Sequence, residues 1–132
     1  MALLKLHVVT PERQLVEAEA DGVQLPGADG YLGILPGHAP LVTLLKTGVL
    51  SYSRGGRAEA WAIASGLAEV ADDRVSVLAD SADAAGEIDA AAAERERAEA
   101  ERQMGSANAE TLPEIRARFE LASARLAVAT GR

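Results

Sequence analysis

Between Leu3 and Leu78, apolar and polar residues alternate in short runs, each closed by glycine, proline or aspartate. That is the pattern of strands in an all-β sandwich or barrel. The runs are Leu3–Val9, Gln14–Ala20, Gly22–Leu25, Tyr31–Leu35, Leu41–Lys46, Gly48–Ser53, Ala58–Ala64, Gly66–Val70 and Arg74–Leu78. Gly55-Gly56 in RGGR and Asp72-Asp73 in ADDR suit tight hairpin turns, where positive φ is needed. In AEAWAIA, Ala58, Ala60, Ala62 and Ala64 share one face and Glu59, Trp61 and Ile63 the other. The small face predicts close packing against a neighbouring sheet.

After Gly86 the period changes from two to that of helices. Asp89 can cap a first helix through AAAAERERAEAERQM, which Gly105, Ser106 and Asn108 interrupt. A second begins at TLPE, where Thr111 and Glu114 stand in capping-box relation and Pro113 occupies the first turn. On it Ile115, Phe119, Ala122 and Leu126 fall at i, i+4, i+7 and i+11, and the first helix offers Ala93, Arg97, Ala100 and Met104 at the same spacing. These stripes predict the seam of an antiparallel pair. Alanines make it thin, since each buries about 0.8 kcal/mol of methyl where a leucine buries about 1.5 to 3. A hairpin of this kind folds by docking and can undock. The chain therefore divides into a β-sandwich or barrel over residues 1–86 and a two-helix hairpin over 87–132.

Composition excludes several functions. A net charge of -7 and only 3% aromatic residues leave no basic footprint for nucleic acid. There is no cysteine, hence no disulfide and no thiolate metal site. MALLKLHVVT reads as a strand rather than a signal peptide, and no apolar run approaches the roughly 18 residues of a spanning helix.

Candidate chemistry is sparse. His38 with Thr43 and Asp29 is the one grouping that could imitate a nucleophilic triad, without a nucleophile elbow or an oxyanion motif beside it. The two histidines, His7 and His38, lie far apart with no HxH or HExxH companion, so no metal is expected. Gly27, Gly30, Gly33 and Gly37 lack the GK[ST] and the following helix of a phosphate loop, and read as turn residues. Glu94 with Arg97, and Glu120 with Arg125, read as surface pairs. The residues alone leave open whether the chain presents a surface that another protein reads. His38, between Pro36 and Pro40, is its most conspicuous loop residue.

GADGYLGILPGHAPLVTLLKTGVL, from Gly27 to Leu50, resembles the hallmark segment of the epsilon-subunit family of bacterial F-type ATP synthases. LHVVTPER precedes it, ASGLAEVADDRVSVLAD follows it, and EIDAAAAERERAEAE leads into a closing hairpin, so the resemblance covers essentially the whole chain. It implies a non-catalytic rotor subunit of the central stalk. Its sandwich would bind the gamma subunit and rest on the c-subunit ring, and its hairpin would extend into the alpha/beta catalytic head to inhibit ATP hydrolysis. Position by position, the resemblance assigns Thr10, His38 and Thr43 to the gamma interface and Asp29, Gly30 and Tyr31 to the loop facing the c ring. Arg116, Arg118 and Arg125 would meet an acidic segment of beta. The location implied is the cytoplasmic face of the bacterial inner membrane, with membrane contact only through the complex.

Nucleotide-binding members carry IDxxRA and two arginines four residues apart on the second helix. Ile88, Asp89 and Arg125 are what this chain keeps of that site. Ala92 and Leu121 stand where arginines would be. Each missing charged contact is worth about 1.5 to 3 kcal/mol, and no cofactor is expected. The alternative reading is a stand-alone β-sandwich module that dimerises through the Ile115–Phe119 face of its helical tail.

Overall fold

The computed structural model describes residues 2–131. Eight strands form the N-terminal part: β1 (Leu4–Val9), β2 (Gln14–Ala20), β3 (Gly22–Gly27), β4 (Gly30–Ile34), β5 (Leu41–Leu45), β6 (Gly48–Arg54), β7 (Arg57–Ala71) and β8 (Arg74–Ala84). A single 3-10 turn, Ala85–Glu87, leads to α1 (Ala90–Met104) and α2 (Leu112–Thr130). The strands run β2-β1-β8-β7-β5-β3-β4, and β6 pairs with β3 and β7. The sheet thus folds over itself into a sandwich. Only β1 with β8 is a parallel pair among these strands.

Strict alternation builds the core. Leu4, Leu6 and Val8 point inward from β1, Val75, Val77 and Ala79 from β8, and they meet Leu25, Ile34, Leu50, Ile63 and Val70. Both expected hairpin turns form with two consecutive positive φ angles, 58° and 82° at Gly55-Gly56 and 51° and 60° at Asp72-Asp73.

The sequence pattern divides β7 into two strands at Ser65, but the structure joins them. Ser65 (φ 35°) and Gly66 (φ 157°) form a corner at which β7 leaves β6 and joins β5. The register against β8 continues through it. Burial changes phase there: Ala62 and Ile63 are buried before the corner, then Ala68 and Val70 after it. Ser65 Oγ donates to Asp80 Oδ2 at 2.9 Å across the same point. A side chain at Gly66 would lie 2.2 Å from the Leu78 carbonyl oxygen. Strand β8 likewise continues past Leu78 to Ala84, because Ser81–Ala84 pair with Trp61–Ala64.

The helix starts differ in how they are capped. Asp89 accepts the Ala92 N–H at 3.0 Å as expected of an N-cap. The expected capping box at Thr111 does not form. Thr111 is already helical in φ and ψ, and its side chain makes no cap bond into the helix. Asn108 Oδ1 instead accepts the N–H groups of Glu110 and Thr111, at 2.9 and 3.0 Å.

Gly66→Ala should destabilise the chain by about 2 kcal/mol or more, since both the φ and the space exclude a methyl group and the obstacle is backbone. Urea denaturation followed by circular dichroism measures this, and an unchanged midpoint counts against the corner.

Candidate functional site

Two surfaces stand out, both set by β7 and β8. The first lies beyond the corner. Leu44 of β5, Leu67 of β7, Leu78 of β8 and Val9 of β1 are cross-strand neighbours in one row. Residues in register share a sheet face, and here that face is uncovered. Leu44 is 65% exposed, Leu78 52% and Leu67 40%, with Val42 at 62% one row along. The row spans four strands, about 14 Å at the usual inter-strand spacing. Beside it run Glu69, Ser76 and His7, a polar border.

The residues assigned to partner contacts are spread around this face. Thr10 follows Val9 at one end, its Oγ1 donating to the Arg13 carbonyl at 3.3 Å. His38 belongs to the loop between β4 and β5, and its Nδ1 lies 2.7 Å from the Ala39 carbonyl. That loop is joined to Asp73, which lies in the β7–β8 turn five residues before Leu78. Thr43 is half-buried and paired with the buried Ala68, so Val42 and Leu44 carry the exposed chemistry of β5. Alternation within LVTLL held this signal, but β5 has no polar residue outward to reveal it.

Asp29, Gly30 and Tyr31 sit on the β3–β4 turn, beside Leu44. The Tyr31 hydroxyl accepts the Val49 N–H at 3.0 Å, and Lys46 Nζ lies 6.0 Å from the ring centroid. Asp29 is thus at the opposite end of β5 from His38, and the triad-like set is not assembled. Among the described residues no cluster of three metal-ligating side chains occurs.

The second surface lies before the corner and is covered. The alanine face of β7 meets α2 rather than a second sheet: buried Ala62 packs with Ala124 and Val128, with Val49, Ala60 and Ile88 around them. Small side chains let a helix approach the sheet closely. Asp83 is the register partner of Ala62. It accepts from Arg125 Nε at 2.8 Å, so Arg125 turns to the sandwich and not to Glu120. Both side chains are about one-third exposed, which limits the pair to well under 1 kcal/mol or so.

The two helices lie against each other. Ala93, Ala100 and Ala122 are buried between them, while Met104, Ile115, Phe119, Leu126 and Arg97 are half-buried. The Ile115–Phe119 face is therefore used within the chain. Arg97 pairs with Glu94 at 2.8 Å, and its Nε, buried, finds no partner. Arg118 bonds the Gln103 side chain and lies 3.6 Å from Glu96. Arg116 is exposed and makes no ion pair among the described residues.

Between hairpin and sandwich a cleft of about 440 Å³ is lined by Arg118 and Arg125, and by Asp83, Glu87, Asp89 and Glu96. Both arginines are already engaged by carboxylates, and four acids against two cations disfavour a phosphate chain. Glu87 anchors the junction. It accepts the Ala84 N–H at 3.0 Å and bonds Arg13 at 3.4 Å. The backbone bond to Ala84 above all, with help from Arg13, holds its carboxyl below the usual range against the opposing effect of desolvation.

A depressed carboxylate contributes stability above its unfolded pKa and loses it as pH falls through its folded pKa. The junction should accordingly loosen only below the ordinary glutamate range, and Glu87→Gln should remove that step. Exchange of the Ala84 amide against pH measures it, and the same acid response in Glu87→Gln would assign it elsewhere.

Comparison with known proteins agrees with this architecture. Residues 3–85 match the family model described as ATP synthase, Delta/Epsilon chain, beta-sandwich domain. An ATP synthase epsilon chain of Solibacter usitatus is 52% identical over 86 residues, 65% of this chain and 64% of the relative. One of Koribacter versatilis is 47% identical over 87 residues, 66% of this chain and 61% of the relative. The matched stretch thus spans slightly less than two thirds of these relatives. A chain in the structure of the Euglena gracilis mitochondrial ATP synthase, OSCP/F1/c-ring, superposes with a TM-score of 0.85 at 22% identity, covering 98% of this chain and 82% of that one. This last likeness establishes the fold, helices included.

Proposed function

The chain belongs to the ATP synthase delta/epsilon family, and from that premise we propose that it is an epsilon chain acting as a non-catalytic subunit of the central stalk. Its sandwich, residues 1–86, binds gamma and rests on the c ring, coupling ring rotation to the alpha/beta head. The hairpin, residues 87–132, is a movable regulatory arm.

The observation that carries the reading is the uncovered row of Leu44, Leu67 and Leu78 with Val42. A patch of large aliphatic side chains on a folded sheet marks a place where another protein sits. Thr10 and His38 border it, and Asp29–Tyr31 occupy its other rim. No helix among the described residues is long and apolar enough to cross a membrane; in the proposed role, membrane association runs through the complex, at the cytoplasmic face. Among the described residues the triad-like set of His38, Thr43 and Asp29 is not brought together. The chain's contribution is mechanical.

Replacing Leu44 and Leu67 together by Asp places two charges in the contact while leaving side chains that already face solvent. Affinity for the gamma subunit should fall about a hundredfold with the circular dichroism spectrum unchanged. Retained affinity in a folded variant would move the gamma site elsewhere.

The arm follows from the same charges. Arg118 and Arg125 hold the folded hairpin through Glu96, Gln103 and Asp83, so they reach beta only after those bonds open. Arg116 has no such tie. Arg116→Ala should then raise ATP hydrolysis by the assembled enzyme, by weakening the extended state. Asp83→Asn should lower it, by releasing Arg125. Each shift should be within about fivefold, as befits exposed pairs of about 1 kcal/mol or less. Rates equal to the parent in both variants would remove inhibition from the reading and leave coupling alone.

A further inference from the structure

The loop from Leu35 to Pro40 carries His38 and delivers the chain to β5. It is a type II turn in form: the His38 N–H donates to the Leu35 carbonyl at 3.1 Å, with Pro36 second and Gly37 third at φ 88°. Such a turn leaves the N–H of its third residue pointing away from its own hydrogen bond. Here that N–H, Gly37's, donates to Asp73 Oδ1 at 2.7 Å, across 36 residues of sequence. The other hydrogen bonds of the loop are local: Leu35 with His38, and the His38 ring with Ala39.

Asp73 is itself well held. It is the second central residue of the β7–β8 turn, at φ 60°. Its carbonyl accepts the Lys5 N–H at 2.8 Å, which fixes it to β1. The carboxylate therefore projects from a rigid point formed by β1, β7 and β8, three of the four strands whose outward residues make the apolar row.

The geometry points to Asp73 as a positioning residue of the partner interface: it fixes the His38 loop relative to the row of Val42, Leu44, Leu67 and Leu78, so that loop and row are presented as one preformed surface. This inference rests on the gamma-binding reading given above and names a residue that the reading did not include. Its physical content is preorganisation. A short bond to an ionised acceptor is of the stronger kind, and a loop ordered before association does not have to be ordered during it.

The test needs a deletion that leaves the turn intact. Alanine is unsuitable because φ near 60° strains any β-carbon, whereas glycine adopts it freely and an Asp-Gly pair favours this turn. Asp73→Gly removes the carboxylate alone. Asp73→Asn keeps an acceptor oxygen in a residue that also tolerates positive φ. The full chain and both variants are titrated with isolated gamma subunit by calorimetry, and amide exchange at Gly37 is followed by NMR on the free chains.

Asp73→Gly should bind about five- to tenfold more weakly, with Gly37 exchange accelerated, while Asp73→Asn stays within about twofold of the parent on both measures. Parent-like affinity in Asp73→Gly overturns the assignment, as does a loss in Asp73→Asn as large as that in Asp73→Gly. A merely structural role would lower stability without the rescue in affinity. Should the parent itself not bind gamma, the partner reading fails, and unchanged Gly37 exchange in Asp73→Gly still overturns the tether separately.

Discussion

The pairing of β7 with β8 is the interaction on which the rest of the molecule depends. It runs from Ala71 with Arg74 at the turn to Trp61 with Ala84 at the far end. A tight two-residue turn fixes it, and a slip of one residue would exchange Leu67 and Leu78 with Ala68 and Val77. Core and surface would trade places. At Ser65 and Gly66 the pair turns a corner without losing register, so its two halves serve different layers of the sandwich. One half carries large aliphatic groups outward, and the other carries alanine.

That difference in size decides what covers each half. Alanine at Ala60 and Ala62 lets α2 lie close enough for Ala124 and Val128 to be buried, and puts Asp83 within reach of Arg125. At the other end leucines face outward, and among the described residues no helix lies over them. The docked hairpin is secured by small apolar contacts, about 0.8 kcal/mol per methyl-sized group, and by half-exposed ion pairs. Nothing in that list resists displacement strongly. The exposed row, by contrast, has 40 to 65% of each large side chain still to bury, about 0.6 to 2 kcal/mol apiece.

Much of this was legible in the sequence because most of it is local. Alternation located every strand, and the Gly-Gly and Asp-Asp turns announced their own geometry. Helix composition and Asp89 located α1 to within a residue. Other features are not local. Whether Ser65-Gly66 ends a strand or bends one depends on β5, β6 and β8, which only tertiary pairing brings together. Asn108 rather than Thr111 supplies the side-chain cap of the turn leading into α2, because its oxygen reaches two backbone N–H groups at once, a choice that a capping-box pattern cannot anticipate. The alanine face was correctly separated from Trp61 and Ile63, but its partner was not, since a sheet and a helix ask the same of a small face. For the candidate surface, GILPGHAP drew attention to His38, while Leu67 and Leu78 lie in runs that look like core. Exposure of a leucine is a property of the register, and register is read from the structure.

If the chain acts as proposed, the arrangement would let it be both firmly seated and adjustable. The apolar row and the His38 loop lie on β1, β5, β7 and β8, strands whose inward residues are the core itself, so a partner bound there grips the most stable part of the molecule. Among the described residues the helices meet the sandwich before the corner, through Val49, Ala60, Ala62 and Asp83. Release of the hairpin therefore breaks no strand pair and uncovers mainly alanine and valine. On the proposed reading the arm would rise or fall without disturbing the grip, because the corner at Gly66 keeps the two surfaces on separate halves of one strand pair.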